Sequence, residues 1–221
     1  MIKVGFIVRC LNEERWIGHC LQSIKNISNL IEPSVLVIDN ESSDESLKIV
    51  KMFRDICDIK TIKRNEYLPG TALNSGMEHF SNLGFEYVCI ISAHCIITKF
   101  DIGLLKEFME DEKCFGVIGK QIPIYKGKRL QSRYVWENFS TEPIKNLKEG
   151  HGCHDYFFHN AFSILKTKHW RELKFDTEVT GKEDRIYAGN QIEAGNNFLY
   201  QPAIECYHYW TNKCATWNGV G

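Results

Sequence analysis

The chain contains no run of about 18 apolar residues, so no transmembrane helix is expected. It also lacks an excess of either charge, because 27 basic and 28 acidic residues leave a net charge of -1. Without a basic field, nucleic acid is not an expected partner. Repeats and low-complexity tracts are absent as well. These absences exclude membrane-spanning, nucleic-acid-binding and repeat proteins, and leave at most peripheral membrane contact.

The nine cysteines lack the regular spacing of a disulfide framework, and their number is odd. No secretory signal peptide is evident in the sequence. Free thiols in a reducing compartment are therefore expected. The sequence predicts a cytoplasmic protein.

Apolar residues make up 43% of the 221 residues, which is enough for a sizeable core. In the first half, short apolar runs alternate with segments of helical periodicity, which is typical of a mostly parallel α/β sheet with right-handed crossovers. Asn12 is predicted to cap the first helix, and Ser43 or Asp44 the second. Pro69 and Gly70 are predicted to break the chain. The predicted strands are Val4–Val8, Val35–Asp39, Ile59–Arg64, Tyr87–Ser92 and Phe115–Gly119. The predicted helices are one that follows Asn12 and has periodic apolar residues from Trp16 to Ile24, and those over Asp44–Arg54, Leu73–Phe80 and Asp101–Asp111.

The most informative segment is Val35–Asp44, where four apolar residues end abruptly in acidic and small polar ones. Ligands of open α/β sheets bind at the carboxyl ends of the strands, and Asp39 stands at such an end. A carboxylate there would accept a hydrogen bond from a ribose hydroxyl or a uracil N–H. A residue that only shapes the turn is the alternative interpretation of Asp39.

The second half is less regular, and we expect it to continue the same domain over residues 1–221. Residues 1–120 are predicted to form a nucleotide-binding half and residues 121–221 an acceptor-binding half. The pattern is typical of a strand over Asn160–Leu165, a helix over Lys182–Ala194, and a late pair of strands over Phe198–Tyr200 and Ile204–Tyr207.

Five further segments are informative together: Val8–Glu14 at the first strand–helix junction, Val37–Asp44 after the second strand, Pro69–Gly76, Gly181–Arg185 with its Glu-Asp pair, and Pro202–His208 at the end of a late strand. In this order they resemble glycosyltransferase family 2, the inverting transferases of the GT-A fold. The resemblance extends from near residue 4 to about residue 210. It implies a Rossmann-like, mostly parallel sheet flanked by helices in a single domain.

The resemblance also implies an activity. The chain would move a sugar from a nucleotide-sugar donor to a hydroxyl of a glycan or lipid-linked acceptor in bacterial-type surface polysaccharide synthesis, with a lipid-linked acceptor placing it at the inner face of the membrane. Transfer would be a single inverting displacement with Asp184 as base and Glu183 beside it. An ordinary salt-bridged helix start is the alternative for this acidic pair. The residues implied at the donor are Arg9, Asn12, Glu13, Asp39, Asn74, Ser92 and His94, and those implied at the acceptor or sugar are His154, Asp155 and Asn160.

One motif of the family is missing, because Ser92-Ala93-His94 stands where the family has Asp-x-Asp. Hard cations prefer oxygen ligands, so the site is expected to be either metal-independent or dependent on Mn²⁺ or Mg²⁺ held by other ligands. His94 has three interpretations: a ligand of a softer metal together with His208, a cationic or hydrogen-bonding partner of the leaving diphosphate, or a structural histidine. For His208, a histidine packed in the core and a metal ligand are equally good interpretations.

Other functions stay open from the sequence. Loss of Asp-x-Asp would suit a catalytically inactive nucleotide- or sugar-binding domain, although the retained Glu183–Asp184 pair argues against it. A nucleotidyltransferase is disfavoured because the loop Arg9–Asn12 contains no glycine. A CMP-linked acidic sugar would need less metal than a nucleoside diphosphate donor. A zinc site near His151 is disfavoured because a second ligand pair is not evident.

Overall fold

A computed structural model describes residues 1–130, 139–148, 156–179 and 181–211. These residues form ten strands: β1 Ile2–Cys10, β2 Ile31–Asp39, β3 Cys57–Thr61, β4 Tyr87–Ser92, β5 Cys95–Phe100, β6 Cys114–Tyr125, β7 Lys128–Arg129, β8 Ile144–Lys145, β9 Phe162–Lys166 and β10 Asn197–Tyr209. The strands belong to one sheet with the order β3-β2-β1-β4-β9-β6-β10-β5, to which β7 adds beside β6 and β8 beside β10.

Most of the paired residues of the sheet belong to parallel strand pairs: β1 with β2 and β4, β2 with β3, and β6 with β10. Strands β5, β7, β8 and β9 pair antiparallel to their neighbours. Within the described ranges, no helix is long and apolar enough to cross a membrane. The helices are α1 Ile17–Asn26, α2 Ser46–Val50, α3 Pro69–Asn82, α4 Lys106–Glu110, α5 Thr167–Glu172 and α6 Glu183–Glu193.

Successive side chains of β1 enter two different buried clusters. Phe6 packs in the cluster that includes Leu21 of α1, and Ile7 packs in the cluster that includes Phe80 of α3. Each fully buried side chain of this size contributes about 1.5–3 kcal/mol of stability. The approach of α3 is close enough that a Cβ at Gly5 would lie 2.5 Å from the Phe80 ring, which explains the glycine.

The carboxyl ends of β1, β2 and β4 meet at one edge of the sheet because these strands are parallel. The register places Cys10 of β1 beside Asp39 of β2, and Arg9 of β1 beside Ser92 of β4. Three residues predicted at the donor, Arg9, Asp39 and Ser92, are therefore neighbours at this edge. The sequence-based expectation of a mostly parallel α/β sheet is confirmed.

The strand predicted over Tyr87–Ser92 has the predicted bounds, but three predictions about helix starts are wrong. The cap position of α2 is Glu45, not Ser43 or Asp44. Pro69 does not break the chain; it begins α3 after Leu68, where its missing N–H removes no helical hydrogen bond. Asn12 does not cap α1, which begins at Ile17 after a turn in which Asn12 has a φ of 54°.

The other differences between the predicted and the observed elements occur where strand pairing, and not the local sequence pattern, determines the structure. The late strand pair is one continuous strand, β10, in which Pro202 is accommodated because the register against β6 shifts between Gln201 and Glu205. Strand β5 and helix α5 were not predicted. The second helix is shorter than predicted, because α2 ends at Val50 and a 3-10 turn over Lys51–Phe53 follows it.

Candidate active site

The loops after β1 and β2 are joined by hydrogen bonds between side chains and backbone. Asn12 accepts a bond from the Ser43 N–H (2.7 Å), and its own N–H donates to the Ser42 hydroxyl (2.9 Å). The N–H of Glu13 donates to Oγ of Ser46 at 2.8 Å. Asparagine tolerates the left-handed backbone of Asn12 better than most residues do. These bonds hold the two loops in a fixed relation at the edge of the sheet.

Asp39 is fully buried at the end of β2, and its two carboxylate oxygens lie 3.3 and 3.1 Å from the N–H of Ser42 that donates to them. Asp39 therefore shapes its turn, while its oxygens keep lone pairs for further donors. The neighbouring Asn40 is 8% exposed, and its Oδ1 has no hydrogen-bond partner in the described part of the chain. A buried acceptor without a donor favours a ligand group at this position.

Arg9 connects this edge with the start of α6. Its guanidinium donates to Oε1 of Glu183 at 3.0 Å, across 174 positions of sequence, and only 22% and 9% of the two side chains are exposed. Burial opposes the charge of Arg9, but Tyr67 and Glu183 outweigh it and hold the pKa of the guanidinium above its ordinary value. Such charge-assisted bonds are stronger than neutral ones.

Asp184 lies in the first turn of α6, and 15% of its side chain is exposed. Burial and then the charge of Glu183 raise the pKa of Asp184 to about 6, against the opposing effect of Arg185. One carboxylate oxygen accepts a bond from the Asn160 N–H at 3.3 Å, and the other accepts one from the Arg185 N–H at 2.9 Å. A carboxylate with a pKa this close to neutrality is suited to take up a proton.

Asn160 presents an unused side-chain amide beside Asp184. The residue is 3% exposed, and neither its Oδ1 nor its Nδ2 has a hydrogen-bond partner within residues 1–130, 139–148, 156–179 and 181–211. Leaving such a buried polar group unsatisfied costs about 1–3 kcal/mol. The amide is therefore a candidate contact for a hydroxyl of a bound sugar.

A chain of polar contacts links the loop after β1 to β10 through two buried histidines. Nδ1 of His94 lies 3.1 Å from Oε1 of Glu13, and Nε2 of His94 lies 3.1 Å from Nε2 of His208. Nδ1 of His208 lies 2.5 Å from Oε1 of Gln121. Burial and then the proximity of His94 lower the pKa of His208 well below its ordinary value, so this ring is neutral at neutral pH.

Comparison with known proteins identifies the family. The description "Glycosyl transferase family 2" matches residues 6–166, which is most of the chain. The chain belongs to this family. The uncharacterized glycosyltransferase MG060 of Mycoplasma genitalium is 22% identical over 213 residues, which cover 95% of this chain and 70% of that protein. The expectation of a family 2 glycosyltransferase is confirmed.

Solved structures show the same fold. Residues 1–349 of S. aureus TarS in complex with UDP-GlcNAc are 18% identical with a TM-score of 0.68, over 100% of this chain and 62% of that chain. The mannosyltransferase PcManGT of Pyrobaculum calidifontis, in complex with GDP-Man and Mn²⁺, is 18% identical with a TM-score of 0.62, over 95% of this chain and 57% of that one. This family 2 chain thus spans less than two thirds of either solved chain. At such identities the likeness shows the GT-A fold alone.

The resemblance to family 2 implies a divalent metal at the end of β4, and the side chains present fit only some metals. The described residues contain no group of three or more His, Cys, Asp or Glu side chains that could hold one. Mg²⁺ requires several oxygen ligands, which Ser92 and His94 do not supply. Two imidazole nitrogens 3.1 Å apart do fit two ligand positions of an imidazole-binding transition metal. Ligands on ~2.1 Å bonds are separated by about 3.0–3.4 Å at right or tetrahedral angles.

Not all of the predicted site residues are brought together at the candidate active site. Oδ1 of Asn74 accepts bonds from the Trp170 indole (2.9 Å) and the Phe175 N–H (3.0 Å), and its Nδ2 donates to the Phe175 carbonyl (2.8 Å), which packs α3 against the chain before α6. His154 and Asp155 lie outside the described residues.

Two residues that the structure places at the candidate site were not predicted from the sequence. Tyr67 lies beside Arg9 and Glu183, and burial raises the pKa of its phenol. Gln121, 4% exposed in β6, contacts His208. The available signal for Gln121 was a polar side chain within an apolar strand.

Proposed function

We propose that this family 2 chain transfers a sugar from a nucleotide-sugar donor to a hydroxyl of a glycan or lipid-linked acceptor in the synthesis of a bacterial-type surface polysaccharide. The observation that carries the proposal is the 3.0 Å bond between Arg9 and Glu183. It ties the strand ends expected to bind the donor to the residue before Asp184. The donor nucleotide and the catalytic base Asp184 would therefore lie at the same edge of the sheet.

The donor nucleotide would lie against the loops after β1 and β2. Asp39 would accept a hydrogen bond from the base or ribose, and the buried Oδ1 of Asn40 supports a second polar contact. Arg9 would face the negative charge of the donor, with Asn12 and Glu13 holding the loop and the hydroxyl of Ser92 near the diphosphate. The solved relatives with UDP-GlcNAc and GDP-Man support this donor class.

The reaction would be a single displacement with Asp184 as base. The acceptor hydroxyl oxygen forms a bond to the anomeric carbon as the bond from that carbon to the donor phosphate breaks. The diphosphate leaves with the electron pair, and the hydroxyl proton moves to the carboxylate of Asp184. Attack opposite the leaving group inverts the anomeric configuration. The raised pKa of Asp184, about 6, supports this role because it makes the carboxylate a better proton acceptor.

Neighbouring groups would orient the reactants. Glu183, fixed by Arg9, keeps a second carboxylate beside Asp184 and sustains the raised pKa. The unpartnered amide of Asn160 would bind a hydroxyl of the acceptor or donor sugar. His154 and Asp155 stay predicted acceptor contacts.

A divalent metal, when bound, would neutralise charge on the leaving diphosphate. His94 and His208 are the residues that would hold it. The two parts of the chain would bind different substrates: residues 1–120 the nucleotide and residues 121–221 the acceptor. The protein would act in the cytoplasm at the inner face of the membrane.

A catalytically inactive binder of nucleotide or sugar is the second candidate. The observation that favours it is the replacement of the expected carboxylates by Ser92 and His94. The transferase and an inactive nucleotide binder both predict nucleotide binding, and they differ in whether Asp184 accelerates transfer.

The first test is thermal stabilisation by UDP, GDP, dTDP, CDP and CMP, each with Mn²⁺, Mg²⁺ or EDTA, because a ligand that binds only the native state raises the melting temperature. We expect one nucleotide to stabilise the wild type and Asp184→Asn alike, and Asp39→Asn less. Transfer from the matching nucleotide sugar should be lost in Asp184→Asn. Stabilisation without transfer in the wild type would favour the inactive binder. No stabilisation by any nucleotide would overturn the transferase and leave an inactive sugar binder.

A further inference from the structure

We propose that β3, Cys57–Thr61, is the surface at which this chain associates with a second copy of itself. The two β3 strands would pair antiparallel about a two-fold axis at Ile59, so that two sheets join edge to edge into one. The direction of the backbone groups of β3 and the order of its charged side chains support this pairing. Neither observation concerns the donor or the acceptor, so the association does not depend on the proposed function.

Strand β3 is at one end of the sheet, with β2 as its neighbour on one side and no strand of the described ranges on the other. The N–H of Ile62 donates to the Asp39 carbonyl of β2 at 2.9 Å, so the even-numbered residues of this segment direct their backbone groups towards β2. In a strand this direction alternates with each residue. The outward N–H and C=O groups therefore belong to Cys57, Ile59 and Thr61. Such a row is a template for pairing with another strand.

The opposite end of the sheet is covered, which makes β3 the more open edge. There α1 lies against β5, and the hydroxyl of Ser23 accepts a bond from the Ile97 N–H at 3.1 Å. A covering helix is one way in which proteins protect the edge of a sheet. In β3, by contrast, the residues from Asp58 to Thr61 are all exposed. We therefore expect a further strand to add at β3 and not at β5.

The charges of β3 select one partner and one register. Charged side chains commonly keep edge strands apart, but an antiparallel copy centred on Ile59 places Asp58 opposite Lys60 of the second copy, and the reverse. Opposite charges directly across an antiparallel pair stabilise it, and like charges destabilise it. The neighbouring registers, centred on Asp58 or on Lys60, would set two like charges opposite each other. Strand β3 is thus complementary to itself in one arrangement.

The pairing would also satisfy the outward backbone groups of both copies. Ile59, which is 36% exposed, would exchange two N–H···O bonds with Ile59 of the second copy, and Cys57 would do so with Thr61. Nζ of Lys60 contacts the Ser75 hydroxyl of α3, which keeps this side chain on the α3 side of the sheet. An interface of one short strand per copy is small, and small interfaces bind weakly. We expect a dimer that forms as the protein concentration rises.

The test is sedimentation velocity of the full chain over roughly 5–500 µM, a range that covers weak dissociation constants. We expect the wild type to shift from monomer to dimer. Asp58→Lys and Lys60→Asp each place two pairs of like charges across the axis, and each should weaken the dimer by roughly tenfold or more. The double variant Asp58→Lys with Lys60→Asp restores the opposite pairs and should dimerise as the wild type does.

A backbone variant tests the hydrogen bonds separately from the charges. Ile59→Pro removes an N–H that points away from β2, so the pairing of β2 with β3 should persist while the dimer is lost. Lys99→Asp, at an exposed cation of β5, is the matched control and should leave dimerisation unchanged. Melting temperature establishes that each variant is folded.

Cross-linking tests the position of the two-fold axis. Directly opposed residues of a hydrogen-bonded antiparallel pair have Cα atoms about 5.5 Å apart, which is within the range that a disulfide spans. With oxidised glutathione as the oxidant, Ile59→Cys should form a covalent dimer. Lys99→Cys, on the opposite edge strand, and the wild type should stay monomeric on denaturing gels.

Four results would each overturn the proposal: a wild type that is monomeric throughout the range, a dimer that neither charge reversal weakens, a folded double variant as weak as the single ones, or a folded Ile59→Pro that still dimerises. Cross-linking of Ile59→Cys no faster than that of Lys99→Cys would also contradict the pairing. Nucleotide stabilisation and sugar transfer are measured separately. Their absence would count against the proposed function and leave the association intact.

Discussion

At the scale of single residues, the pKa of Asp184 sets the pH range in which the proposed base acts. A base must be deprotonated, so kcat/KM for transfer should rise with pH through about 6, the pKa of Asp184, and then level off. Asp184→Asn should lower the rate by roughly 10²–10⁴-fold. The measurement is a pH–rate profile, with nucleotide-induced stabilisation as the control for donor binding. A flat wild-type profile below neutrality, or normal turnover in Asp184→Asn, would contradict the assignment.

The same pKa has a consequence for stability. The folded value of about 6 lies above the ordinary value of about 3.9, so the folded state holds the proton more tightly than the unfolded chain does. The free energy of unfolding therefore falls as pH rises from about 4 to about 6. Asp184→Asn should recover about 1–3 kcal/mol above neutral pH and much less near pH 4. Urea unfolding at both pH values checks this, with the exposed Asp58→Asn as control. Equal effects at the two pH values would exclude the shift.

At the scale of secondary-structure elements, Arg9 and Glu183 tie the end of β1 to the start of α6. Arg9→Met would leave the Glu183 carboxylate almost buried without its cation, and should cost about 3 kcal/mol in the free energy of unfolding. Arg9 also lowers the pKa of Asp184, so the acid limb of the rate profile should move to higher pH. Arg9→Lys keeps the charge and should show smaller changes in both measurements. An unchanged unfolding energy in Arg9→Met would mean that the tie contributes little.

The two loops at the edge of the sheet allow a second prediction at this scale. Asn12→Ala would remove the acceptor of the Ser43 N–H and place alanine at a φ of 54°, at a cost of about 1–2 kcal/mol. The donor should bind more weakly, because the loops would no longer be held together. Asn12→Gly loses the same hydrogen bond without the backbone strain and is the matched control. If melting temperature and nucleotide affinity were unchanged in both variants, the loops would be held by other contacts.

The elements differ in how far their sequence determines them. Strand β4 was predicted with its bounds because Tyr87–Ser92 is a nearly continuous apolar run of strand length. Strand β5, over Cys95–Phe100, follows β4 after two residues and is defined by antiparallel pairing with β10, a partner more than one hundred residues away. Pairing of that kind has no local signature. The site follows the same rule, since Asp39 is recognisable from its strand end, whereas Gln121 gains its role only from contact with His208.

At the scale of the whole molecule, alternating strands and helices predict the parallel part of the sheet but not its centre. Strand β9 lies between β4 and β6 and runs antiparallel to both. All five residues of Phe162–Lys166 are buried, as those of a central parallel strand would be, so burial alone does not give the direction of the strand. This insertion matters for the site, because it brings Asn160, just before β9, next to Asp184 at the start of α6.

The thiols give a prediction that concerns the whole fold. Seven cysteines of the described ranges are buried and are not in disulfides. Burial raises the pKa of Cys10 and Cys114 to about 11 and of Cys57 to about 12. Thiolates are the reactive form, so these residues should resist iodoacetamide in the folded protein and react once urea unfolds it. Peptide mass spectrometry of the labelled chain measures this, and a reductant should leave the melting temperature unchanged because no disulfide joins these residues. Rapid labelling of Cys10 or Cys57 under native conditions would mean that the edge of the sheet opens, and that the loops bearing Asn12 and Ser42 separate more readily than their hydrogen bonds indicate.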